Sequence, residues 1–405
     1  MVVMTLLFFM CGFLATLNDI LIPQLKLIFD LNYAEVMLVQ FSFFSAFLLF
    51  SFPWGKLVEV AGYQRTLWVG LFTMSTGALL FIPAAMVPSF VLFMAALLVL
   101  AGGVTALQVS GNAYVSVLGP ARTSSSRLNL TQAFNSLGST FAPYVGGLLL
   151  MSAASIPAVT PALRRVEQAA HLRAPYLGIA FILFVLGCFV SWYKMPPIRD
   201  ERLDSGRQEN ERSVWRIGHL VLGAVGIFLY CGAEIGIGGF LVNYIIEPDI
   251  GNMTAKAASR YVSIYWGGSM IGRFVGSAIL RRVRPGTLLG INAAGALSLV
   301  GLSIASHGSA AMWSILLVGV FNSIMFPTLF TLGIAELGPL TGKGSGILMA
   351  SAVGAAILPV LQGVVADAIG VHLSFIVPAI AYIYVAYYGF DGCKTRRARN
   401  PVVSL

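Results

Sequence analysis

Long apolar runs alternate with short polar interruptions along this chain, and the runs have the length of a membrane crossing. A helix needs about 20 mostly apolar residues to span the hydrocarbon core. Reading charge, Pro and Gly as punctuation predicts spans near 1–28, 34–54, 66–86, 89–117, 128–152 and 175–195. After a polar stretch, further spans are predicted near 216–246, 258–280, 287–306, 310–335, 345–367 and 373–390. The expected fold class is an all-α membrane protein of twelve transmembrane helices in two pseudo-symmetric six-helix bundles. The expected domains are an N-terminal bundle (1–195), a cytoplasmic linker (196–215), a C-terminal bundle (216–390) and a basic cytoplasmic tail (391–405). Met1 opens directly into apolar sequence without a basic leader or small-residue cleavage site, so the first run reads as a retained span.

Composition supports the pattern. The 405 residues are 58% hydrophobic and 10% charged, with mean hydropathy +0.85. Soluble domains carry about 25% charged residues, so a globular enzyme is a poor reading. The net charge of +9 lies almost entirely in the connections between apolar runs, which argues against nucleic-acid binding. With the N-terminus inside, eighteen of the 25 Lys and Arg fall on the cytoplasmic side. That bias predicts a multi-pass protein of a bacterial-type cytoplasmic (inner) membrane with both termini inside. The linker, rich in Asp, Glu, Arg and Ser, reads as a strap between bundles.

The halves echo one another. Cys11-Gly12 before Asp19 matches Cys231-Gly232 before Glu234 at an offset of 220, and Pro143 matches Pro359 at 216, with Gly146 and Gly363 shortly after them. Parallel repeats of this kind place a substrate site between the halves near mid-membrane.

Asp19 is the most informative single residue. It stands in the apolar run 1–29 with Asn18 before it and Pro23 after it, and no Lys, Arg or His shares the run until Lys26. A carboxylate at bilayer depth is costly and marks an ion or proton path or a substrate site by default. On the fifth span, Asn129, Gln132 and Asn135 recur every three residues, which keeps them on adjoining positions of one helical face. Isolated polar groups in lipid face the bundle interior, where Gln132 and Asn135 are placed to line a site. The small residues beside them (Ser136, Gly138, Ser139) suit close helix packing as well. Asn129, nearer the cytoplasmic end, reads as a helix-end hydrogen bonder.

Three stretches carry a family resemblance: Asn18-Asp19-Ile20-Leu21-Ile22-Pro23-Gln24, the run from Arg127 through Ser136 (RLNLTQAFNS), and the run from Glu234 through Tyr244 (EIGIGGFLVNY). With them the chain resembles the major facilitator superfamily, and within it the group of fucose permeases and glucose/galactose transporters. Gly55, Leu57, Glu59, Gly62 and Arg65 approximate that superfamily's loop between spans 2 and 3, with Glu59 where Asp is usual. The resemblance implies two rocking bundles, Asp19 as the proton-coupling carboxylate, and Gln132 and Asn135 facing the sugar.

One position departs from the pattern. The fourth-span signature of the family carries a Glu before a small-residue stretch, and here that place is taken by Gln108, in Gln108-Val109-Ser110-Gly111-Asn112. Gln exchanges hydrogen bonds with a hydroxyl but releases no proton. The expected coupling therefore rests on Asp19 alone, or is weak. Candidate substrate contacts are Asn18, Gln108, Asn112, Gln132, Asn135, Trp266, Asn322 and Gln362. Glu234 and Asn243 stand as coupling or structural groups, Tyr244 as an outer lining residue, and Arg273 as a group bonded to helix-end carbonyls or to an acid such as Glu336.

The expected activity is import of a hexose or deoxyhexose of the fucose, glucose or galactose type by proton symport. A uniporter, a sodium-coupled carrier or an exporter of another polar solute is the alternative. No catalytic set, metal-ligand cluster or nucleotide loop appears in the spans, so no enzyme, cofactor or ATP-driven pump is expected. The expected partners are a sugar, a proton and the bilayer, with the chain a monomer.

Overall fold

The structure, a computed structural model, describes residues 1–29, 33–87, 89–150, 173–196, 198 and 214–395. Within that range the side chains of 17–28, 33–38, 40 and 144–150 are left undescribed. The described residues are almost wholly helical: α1 (Val2–Phe29), α2 (Tyr33–Ala61), α3 (Tyr63–Met86), α4 (Phe90–Val117), α5 (Ser124–Leu150) and α6 (Arg173–Trp192). The second half contributes α7 (Gly218–Ile246), α8 (Ala255–Ile279), α9 (Pro285–Ala305), α10 (Gly308–Asn322), α11 (Met325–Gly333), α12 (Thr341–Ala350), α13 (Gly354–Ile369), α14 (Val371–Ser374) and α15 (Ile376–Tyr387).

Among the described residues, nine helical stretches are long and apolar enough to cross a membrane. The remaining three of the twelve predicted spans correspond to α1, α5 and α8. Much of α1 lies outside the described side chains, and α5 and α8 fall short because Ser, Thr, Asn, Gln, Lys and Arg interrupt their apolar sequence. Polar residues in a membrane helix are expensive unless they face protein, so these two helices are the natural places to look for a site.

Two predicted spans are broken. The tenth divides into α10 and α11 at Ser323-Ile324, and the eleventh into α12 and α13 around a short 3₁₀ turn at Ser351–Val353. The second span is predicted to end at 54. Instead α2 continues to Ala61 with Pro53 inside it. The Trp54 indole beside that proline donates to the Gly102 carbonyl of α4 at 2.8 Å and ties this stretch down.

The chain forms two compact units, Met1–Tyr114 with Phe134–Arg199, and Val115–Ala133 with Asp200–Leu405. Val115–Ala133 belongs to the second unit through hydroxyl contacts. Ser125 meets Thr331 at 2.6 Å, and Ser126 donates to the Ser277 carbonyl at 2.6 Å. Asn129 donates to the Ser125 carbonyl one turn back on its own helix, at 2.9 Å. Arg127 donates to the carbonyls of Val115, Ser116 and Pro120, closing orphan acceptors at the end of α4.

The internal repeat is visible in helix crossings. In the first unit, a Cβ on Gly12 would run into the Asn135 backbone carbonyl, and one on Gly138 into the Phe9 carbonyl. In the second unit, a Cβ on Gly232 would meet Leu358 and the Gly354 carbonyl, and one on Gly354 the Phe228 carbonyl. Gly12 and Gly232 are 220 residues apart, and Gly138 and Gly354 are 216 apart, the offsets found in the sequence. Each half thus crosses its first and fifth helices backbone to backbone through paired glycines, as small residues permit in membranes.

A carbonyl in a helix cannot step aside for an added methyl. Gly138→Ala and Gly354→Ala are each expected to lower the unfolding temperature in detergent, by overpacking on the order of 1–3 kcal/mol. Gly178→Ala, where nothing lies within 4 Å of the added carbon, is expected to leave it unchanged or slightly raised.

Candidate functional site

Helices α1, α4 and α5 bring the first group of polar residues together. The crossing at Gly12 and Gly138 is bonded as well as packed. Asn135 Nδ2 donates to the Phe8 carbonyl at 3.0 Å, and the Ser139 hydroxyl donates to the Gly12 carbonyl at 3.1 Å. These contacts use α1 carbonyls in mid-helix, so they fix the register of α5 along α1. Gln132 lies one turn before Asn135 and is only 5% exposed. On α4, Asn112 is wholly buried and its Nδ2 donates to Gln108 Oε1 at 3.1 Å. Gly111 between them lets the Phe8 and Met4 side chains of α1 press against α4. Gln108, Asn112 and Asn135 therefore belong to one neighbourhood around the stretch of α1 near Phe8. Asp19 follows Gly12 by seven residues, about 10 Å further along the same helix axis. The side chains of Asn18 and Asp19 lie outside the described residues.

The second group gathers at the break between α10 and α11. Pro327 has no N–H to give the carbonyl four residues back, which belongs to Ser323, and its ring crowds that carbonyl. Arg273 Nε of α8 donates to this freed Ser323 oxygen at 3.2 Å. The neighbouring Asn322 carbonyl takes the Tyr230 hydroxyl of α7 at 2.9 Å. The Asn322 side chain is wholly buried, donating to the Tyr265 hydroxyl at 2.8 Å and accepting from the Tyr382 hydroxyl at 2.8 Å. Tyr265 in turn donates to the Glu234 carbonyl at 3.2 Å. Glu234 is 9% exposed and faces Arg273, with Oε1 and Nη2 3.7 Å apart. That oxygen has no hydrogen-bond partner among the described residues. The acid beside Arg273 is thus Glu234 and not Glu336, because the broken helix draws the guanidinium inward.

The other candidates are scattered. Trp266 is 40% exposed and packs edge-on to Tyr265, its ring lying over Gly238 of α7. Gln362 on α13 is buried and approaches Ser374 at 3.5 Å, with its amide oxygen over Gly236. Asn243 is exposed. Tyr244 is wholly buried, its hydroxyl 2.7 Å from Ser303 Oγ and its ring edge-on to Phe375. The hub residues Tyr230 and Tyr382 were not singled out from sequence. The usable signal was Pro327 placed four residues after Ser323, which announces an unsatisfied carbonyl and hence donors to meet it.

Known proteins resolve what this arrangement belongs to. The profile described as Major Facilitator Superfamily matches residues 4–351. The chain belongs to the Major Facilitator Superfamily. Within it, the chain is 47% identical over 392 residues to the glucose/galactose transporter of Brucella abortus, covering 97% of this chain and 93% of that one. It is 30% identical to the L-fucose-proton symporter of Escherichia coli, covering 97% and 92%. Crystal structures of the Escherichia coli fucose:proton symporter, one of them in the outward conformation, superpose with TM-score 0.88 at 28% identity, covering 97% of this chain and 98% of theirs. These relatives place it in the fucose permease group of the superfamily, whose members are transporters and not enzymes.

Proposed function

We propose that this transporter imports a hexose in company with a proton that binds Asp19. The observation that carries the reading is the α1–α5 crossing. It sets the helix bearing Asp19 against the helix bearing Gln132 and Asn135, with the Gln108–Asn112 amide pair alongside. Amides offer paired donors and acceptors for sugar hydroxyls, and a carboxylate on the adjoining helix can bind a proton and bias the carrier between its two states. The functions of the relatives, glucose/galactose transport and L-fucose-proton symport, support this substrate class. The higher identity to the glucose/galactose transporter ranks glucose and galactose ahead of fucose.

Gln108 gives a second reading some weight. With an amide where the family pattern has an acid, a uniporter or a sodium-coupled carrier retains the same sugar contacts without a proton relay. Uptake of labelled glucose, galactose and fucose into proteoliposomes, with and without an inward proton gradient, separates the two. Gradient-driven glucose or galactose uptake is the expected result. Uptake indifferent to protons but raised by sodium overturns the coupling, and transport of none of the three overturns the substrate class. Asn135→Ala is expected to raise KM on the order of tenfold or more, as loss of a hydrogen bond to substrate does. An unchanged KM would remove Asn135 from the sugar.

A further inference from the structure

We infer that the second unit carries a binding site for one anionic phospholipid, in a groove between α8, α9 and the α10–α11 break. The groove has a volume of about 240 Å³, and its α8 wall runs from Gly268 through Ile271, Gly272, Val275 and Gly276 to Ile279. The eleven residue steps from Gly268 to Ile279 make it about 16 Å long. Ile271 and Val275 are 61% and 53% exposed, so the groove opens outward from the bundle. We take this outward, apolar side to face lipid tails, and the shape accepts an acyl chain lying along α8.

The polar groups around the groove follow the order of a phospholipid. Beyond Ile279, the connection to α9 carries Arg281, Arg282 and Arg284, all exposed, and no acid among the described residues pairs with them. Three guanidiniums at one membrane face attract a phosphate, and basic pockets between membrane helices hold anionic head groups in this way. Asn292 then lines the groove one to two turns into α9, at the depth where ester carbonyls lie below a head group. Its Nδ2 bonds the Leu288 carbonyl at 2.9 Å, and its other N–H has no partner among the described residues. From Asn292 inward the walls are apolar apart from Ser323. Charge, single amide donor and apolar trough in that order match phosphate, ester and acyl chain. A small apolar solute would need neither the arginines nor Asn292.

Native mass spectrometry of the full-length protein in detergent, titrated with phosphatidylglycerol or with phosphatidylcholine of the same chains, tests the inference. The wild type is expected to retain one phosphatidylglycerol in preference to phosphatidylcholine. That preference should weaken roughly fivefold for each arginine removed in the series R282Q, then R281Q/R282Q/R284Q. Val275→Trp, at an exposed wall position, plugs the trough and should abolish retention of both lipids. Equal retention of the two lipids by the wild type, or an undiminished preference in the triple variant, overturns the site. Because R282Q alters a single exposed loop residue, its result stands even where the triple variant folds poorly.

Discussion

In sealed proteoliposomes, Asp19→Asn is expected to abolish accumulation of sugar against a gradient while sparing part of its exchange. The two halves of this expectation have separate origins. Asn keeps the shape and hydrogen-bonding capacity of Asp but carries no titratable proton, so the sugar contacts proposed for the amides of α4 and α5 are expected to survive. A proton moving down 100 mV supplies about 2.3 kcal/mol, which supports a concentration ratio of roughly fiftyfold. Without the proton site the ratio falls to one, whatever the potential. Because Gln108 cannot titrate, no second acid on α4 softens the loss. The measurement is steady-state accumulation under an imposed potential, beside counterflow with unlabelled sugar inside. Retained uphill uptake in Asp19→Asn would move the coupling to another carboxylate. Loss of counterflow as well would make Asp19 a sugar ligand or a structural residue.

The helices were legible in the sequence because the bilayer demands one thing of them, a run of apolar residues about 20 long. The repeat was legible too, since glycines at helix crossings leave a mark that depends on spacing alone. The pairs Gly12 with Gly232 and Gly138 with Gly354 show the physical content of those offsets. Site residues are harder for a definite reason. Bilayer physics drives every polar side chain toward protein, and it does so equally for a substrate contact and for a buried hydrogen bonder. Asn135 and Asn322 give the same sequence signal, an amide at mid-membrane. In the structure Asn322 has both ends of its amide held by tyrosine hydroxyls, which leaves it little capacity for a ligand. Neither Tyr230 nor Tyr382 stands out in the sequence, because aromatic content signals neither depth nor where a hydroxyl points. The break between α10 and α11 needed two facts joined across the chain, a proline on one helix and an arginine on another.

That junction yields the other large effect, at Glu234 and Arg273. Glu234→Gln is expected to take from the buried Arg273 guanidinium the carboxylate 3.7 Å away, a loss of about 3–5 kcal/mol for a broken buried pair. Arg273→Met is expected to be at least as damaging, because it strands the Glu234 carboxylate and also bares the Ser323 carbonyl that Arg273 meets at 3.2 Å. Removing both charges in Glu234→Leu with Arg273→Met should recover much of the loss, since a buried ion pair contributes little over a well-packed apolar pair. The Ser323 carbonyl would still be bare, so recovery stops short by about 1–3 kcal/mol. Adding Pro327→Ala restores an N–H four residues after Ser323 and should regain part of that remainder, because an intact helix satisfies its own carbonyl. Thermal unfolding of the purified variants in detergent reads the whole series. An ordinary unfolding temperature for Glu234→Gln, together with a changed pH dependence of uptake, would make Glu234 a proton carrier and not a structural partner of the broken helix.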